Sequence, residues 1–156
     1  MSPIFPREAI QWSTERLHPL RAFSLRTLEL AGITGVVLRI FRAVVLSQAG
    51  WVTFIAGLVV GGLFLCGMLT WHLANYPIRR WPVRVAGFFV VEAAAEFGTS
   101  SVLIALQRER MGSRLATWSD WWPMAGQTLI ERALLLALFA LLLAGTVQLV
   151  RKVTSR

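Results

Sequence analysis

From Trp51 to Trp71 the chain runs for 21 residues without a charged side chain, and about 20 such residues are what an α-helix needs to cross the hydrocarbon core of a bilayer. That run sets the solvent. The amphipathic indole at each end suits a membrane interface, so Trp51 and Trp71 are read as interfacial anchors. Composition agrees: 56% of the 156 residues are hydrophobic and 15% charged, against roughly a quarter charged in soluble domains. The fold class expected is an all-α integral membrane four-helix bundle.

The six prolines, at positions 3, 6, 19, 77, 82 and 123, punctuate the apolar segments, as residues that break helices should. Approximate spans are 28–47, 51–71, 83–106 and 126–150, preceded by a polar extension over 1–26 that is too short to bury a core. The N-terminus lacks the basic-then-apolar pattern of a cleavable signal peptide. The transmembrane domain therefore covers 27–156.

The first span is interrupted by Arg39 and Arg42, and the alternative architecture is three transmembrane helices preceded by an amphipathic interfacial helix. Basic residues separate the two. With four spans, the side holding both termini carries ten arginines and lysines against three at Arg108, Arg110 and Arg114. With three spans the split is nine against six. The positive-inside bias favours four spans, with both termini cytoplasmic in an inner or plasma membrane.

Depth gives a second argument. If the first and third helices enter from the same side, Arg39 and Arg42 lie about 16 and 21 Å in, and Glu92 and Glu96 about 14 and 20 Å in, at 1.5 Å per residue. Glu131 and Arg132 enter on the fourth helix. An unpaired arginine at mid-membrane costs roughly 2.5 to 3.5 kcal/mol, so these six residues are expected to form an intramembrane charge network. Thr99 and Ser100 continue the Glu92 and Glu96 face.

Gly57 and Gly61 stand at GxxxG spacing with Gly62 and Cys66 beside them, a small-residue face that lets helix backbones approach. Trp118, Trp121 and Trp122 fall at i, i+3 and i+4, so a short helix is expected in the outer interface within the loop from Gln107 to Met124. Trp81 is read as a further anchor.

Net charge of +8 could suggest nucleic acid, but the basic residues mark span ends rather than one soluble face, so no nucleic-acid partner is expected. Cys66 is the only cysteine, which excludes an intrachain disulfide and a cysteine-based metal cage. His72 is a candidate cofactor ligand, set against an imidazole that sits at the interface. His18 lies in the extension, so a haem b held within one chain is not expected, and no cofactor is required. Asp120 is the single aspartate and no HExxH occurs, so no catalytic constellation emerges.

Two functions follow. The first is a small non-catalytic subunit that packs against and stabilises a larger membrane complex, contacting lipid, pigment or quinone. The other is an oligomeric proton- or cation-coupled transporter or channel built on Glu92 and Glu96, since four short helices are too narrow for a solute path in one copy.

Overall fold

The computed structural model describes residues 27–44, 50–74, 76–111 and 114–154. Expectations for the extension over 1–26, with His18, and for the end of the first span over 45–47 fall outside the described residues. The described residues form an all-α bundle of four helices: α1 (Thr27–Val44), α2 (Trp51–Ala74), α3 (Trp81–Ala105) and α4 (Trp118–Thr154). A 3-10 turn at Ile78–Arg80 joins α2 to α3. A two-stranded hairpin, β1 (Arg110–Met111) with β2 (Arg114–Leu115), joins α3 to α4 in antiparallel register, Arg110 opposite Leu115.

Among the described residues three segments are long and apolar enough to cross a membrane: Trp51–Ala74, Ile78–Ala105 and Trp118–Thr154. The 18 residues of α1 include three charges, Glu29, Arg39 and Arg42, whereas each of those three segments contains an 18-residue stretch with at most two. α1 nevertheless lies lengthwise in the bundle, parallel to α3. Gly32 faces Val91, Gly35 faces Glu92 to Glu96, and Arg39 reaches Ser100. Residue numbers rise together on both helices over two turns, whereas a helix lying across α3 would touch it once.

Leu65, Leu69 and Leu73 recur every fourth residue on α2 and are fully buried, with Ala31 and Leu38 of α1, Trp81 and Phe88 of α3, and Leu136 of α4 completing the core. That spacing is one helical face. The opposite faces of α2 and α4 are apolar and open, as at Leu63, Leu138, Leu141 and Leu142, which suits helices whose outer solvent is lipid.

The expected short outer helix and fourth span are one element. α4 starts at Trp118 and runs through Pro123 for 37 residues, about 55 Å at 1.5 Å per residue, longer than the roughly 30 Å hydrocarbon core. Its start carries the return half of a capping box: Asp120 accepts from the backbone N–H of Thr117 at 2.9 Å and from its hydroxyl at 2.8 Å. Pro123 is close enough to that end for the lost donor to be tolerated. Arg114 grips Asp120 with both Nη atoms, at 2.7 and 2.6 Å. In this polar first turn, ahead of the apolar stretch, the Arg114 guanidinium and then the Thr117 donors hold the Asp120 carboxyl well below the usual carboxylate range. A depressed acid contributes its stability above its ordinary value and loses it only as pH falls through the lowered one. The hairpin clamp therefore stays charged at neutral and mildly acidic pH.

Candidate functional site

The charges expected to form a network meet where α1, α3, α4 and the hairpin converge. Glu96 is fully buried and sits at the centre: Arg42 Nη1 donates to its Oε1 at 3.1 Å and Arg132 Nε to its Oε2 at 3.2 Å, while Arg39 Nη1 lies 3.6 Å away. Three helices are thereby tied to one carboxylate. Arg39 Nη2 donates to the Ser100 hydroxyl at 2.9 Å. Arg42 also comes within 4.0 Å of Glu131, which accepts from Gln127 at 2.8 Å and is half exposed.

The expected depth pairing of Arg39 with Glu92 is corrected. Glu92 faces Arg132 Nε at 3.4 Å, because α4 packs on that side of α3 whereas Arg39 points further along α3 toward its C-terminal end. There Arg39 meets Glu109, with Nε donating to Oε2 and Nη2 paired with Oε1, both at 3.1 Å. This bidentate, buried pair is the residue that sequence reasoning missed.

Glu109 reaches the bundle because of how α3 ends. Gln107 takes the left-handed conformation, φ 53°. The N–H of Arg108 returns to the Leu103 carbonyl at 2.8 Å and that of Gln107 to Ile104 at 3.0 Å, which is the Schellman arrangement. The turn folds Glu109 back over the helix end, and the N–H of Ala116 then fixes its carbonyl at 3.0 Å. Flanked by Arg108 and Arg110, Glu109 reads in sequence as part of a solvated loop.

The small-residue face is also revised. Gly57 is buried and a Cβ at Gly61 would meet Phe41 and Leu38 of α1 at 3.6 and 3.7 Å, but one at Gly62 would meet nothing within 4 Å, and Cys66 is half-buried. The tightest backbone approach lies elsewhere, at Gly35. A Cβ there would collide with the Glu92 carbonyl oxygen and stand 3.0 Å from both the Ala95 Cβ and the Glu96 nitrogen.

Among the tryptophans, Trp51, Trp71, Trp118 and Trp122 project outward. Trp121 is half-buried, edge-on to Phe97 and to Trp122. Trp81 does not project: it is 7% exposed, part of the core, and donates Nε1 to the Tyr76 carbonyl at 2.9 Å. His72 is likewise buried, between Phe88 and Tyr76, because α2 continues three residues past Trp71 and turns it inward. Among the described residues no group of three or more His, Cys, Asp or Glu is placed to hold a metal ion.

No protein-family model matches the chain, and no curated protein or solved structure is detectably similar to it.

Proposed function

We propose that the protein is a small, non-catalytic integral membrane subunit that packs against a larger membrane complex, with all four helices crossing and both termini cytoplasmic. One observation carries the reading: the three arginines that converge on Glu96 inside the bundle, Arg39, Arg42 and Arg132, are all engaged by carboxylates of the same chain. The polar interior is thus spent on fixing helix register, a use for which buried ion pairs are suited. What remains for recognition is the outer apolar surface of α2 and α4, where Gly62, Gly67 and Gly145 leave room for a neighbouring backbone. Gentle detergent extraction from the native membrane, followed by native mass spectrometry and an absorption spectrum, tests this. The expected result is a stoichiometric complex with larger subunits that Gly62→Leu disrupts while leaving the chain folded. A colourless homo-oligomer overturns it.

A proton- or cation-binding transporter is the second reading, and one observation favours it. Four carboxylates, Glu92, Glu96, Glu109 and Glu131, face three guanidiniums, and both oxygens of the fully buried Glu92 lack a hydrogen-bond partner among the described residues. A carboxylate in that setting is one positive charge short, which a proton or small cation supplies. Under this reading Glu92→Gln, the neutral isostere, shifts the detergent melting temperature by no more than about 2 °C and abolishes proton or cation flux in proteoliposomes. Unchanged flux removes Glu92 from any transport path, and a large loss of stability shows that it is ionised against Arg132.

A further inference from the structure

Where α2 passes into α3, positive charge gathers around a cavity. Arg79 and Arg80 stand on the 3-10 turn and Arg84 in the first turn of α3. Among the described residues no carboxylate lies within ion-pair distance of any of the three. With His72, Val83 and Phe88 they line a cavity of about 520 Å³. Arg84 is held with its guanidinium 4.0 Å above the Tyr76 ring, a contact that positions the cation without neutralising it.

His72 adds a second, independent requirement. Its ring is 2% exposed, and Nε2 lies 3.2 Å from the Arg84 carbonyl oxygen. A carbonyl only accepts, so Nε2 carries the proton and the neutral ring presents a lone pair at Nδ1. That Nδ1 is buried with no partner among the described residues, whereas buried polar atoms are nearly always satisfied. The cavity is therefore short of an anion for its guanidiniums and of a donor for its imidazole.

We propose that this cavity binds the headgroup of an anionic phospholipid that carries a hydroxyl, as phosphatidylglycerol does. The phosphate lies among Arg79, Arg80 and Arg84, and the headgroup hydroxyl donates to His72 Nδ1. The source is lipid rather than free phosphate, because the junction of two membrane-length helices lies at headgroup level and because Val83 and Phe88 give the cavity an apolar wall that an inorganic anion would not use. The site explains why a histidine is buried beside three unneutralised arginines.

The test is native mass spectrometry of the delipidated full-length protein titrated with phosphatidylglycerol, phosphatidylethanol, which keeps the phosphate but lacks the hydroxyl, and phosphatidylcholine, each with and without millimolar inorganic phosphate. One phosphatidylglycerol per chain is expected to bind about tenfold more tightly than phosphatidylcholine, the factor a charge-assisted hydrogen bond supplies. The variant Arg79→Gln/Arg80→Gln changes two exposed side chains, so the fold is retained, and it loses that preference. His72→Phe keeps the preference for an anionic lipid but no longer distinguishes phosphatidylglycerol from phosphatidylethanol. Equal binding of phosphatidylglycerol and phosphatidylcholine overturns the proposal, as does an unchanged preference in the double arginine variant. Displacement of lipid by inorganic phosphate overturns the lipid assignment in favour of a free-anion site, and equal binding of the two anionic lipids by the wild type overturns the His72 contact.

Discussion

Arg39→Met lowers the melting temperature of the detergent-solubilised protein on the order of 10 °C, the equivalent of about 3 to 5 kcal/mol for a domain of this size. The size follows from which acid is stranded. Glu96 loses one of three cations and keeps Arg42 at 3.1 Å and Arg132 at 3.2 Å. Glu109, whose carboxylate is 4% exposed, loses its guanidinium partner outright. Methionine fills the aliphatic volume but donates nothing, and a buried carboxylate without a cation is what makes breaking such pairs costly. The signature that separates charge from packing is rescue: Glu109→Gln in the Arg39→Met background recovers most of the loss, although Glu109→Gln alone is destabilising. If the two substitutions simply add, the pair is not coupled and the buried bidentate contact is not a source of stability.

How much of this was readable beforehand depends on the length scale of the signal. The four helices, the uncharged run from Trp51 and the carboxylate pair on α3 follow from spacing along one helix, and hydrophobic periodicity reports that directly. Arg39, Arg42, Arg132 and Glu96 could be brought together on depth alone, because a bilayer makes position along a helix a shared coordinate for all of them. Azimuth has no such coordinate. Which side of α3 faces α4 decides that Glu92 meets Arg132 rather than Arg39, and only packing sets it. Glu109 was hidden for a different reason: its burial is made by a Schellman turn on Gln107, where glycine would have been the recognisable marker. The burial of Trp81 and His72 is not legible in the sequence, because a tryptophan or histidine near a span end can either project outward or pack inward against a carbonyl in reach. Here Tyr76 and Arg84 offer those carbonyls.

The glycine prediction follows from the same contrast between spacing and contact. Gly35→Leu is expected to prevent a stable fold, and Gly35→Ala to cost about 1 to 3 kcal/mol, the usual penalty for forcing extra volume into a packed interface. The added Cβ meets backbone, the Glu92 carbonyl and the Glu96 nitrogen, and backbone cannot rotate out of the way as a side chain can. α1 must therefore back off from α3. One turn further along, that displacement pulls Arg39 away from Ser100 and Glu96, so the steric cost is compounded by stretched ion pairs. Gly62→Ala provides the control, since nothing lies within 4 Å of a Cβ there. It is expected to be neutral within about 0.5 kcal/mol or slightly stabilising, because alanine is the better helix former by roughly 1 kcal/mol. Thermal melting of the three variants in one detergent decides the matter. If Gly62→Ala is as damaging as Gly35→Ala in the isolated chain, the small-residue face of α2 rather than the α1 to α3 contact is the seam that holds this bundle together.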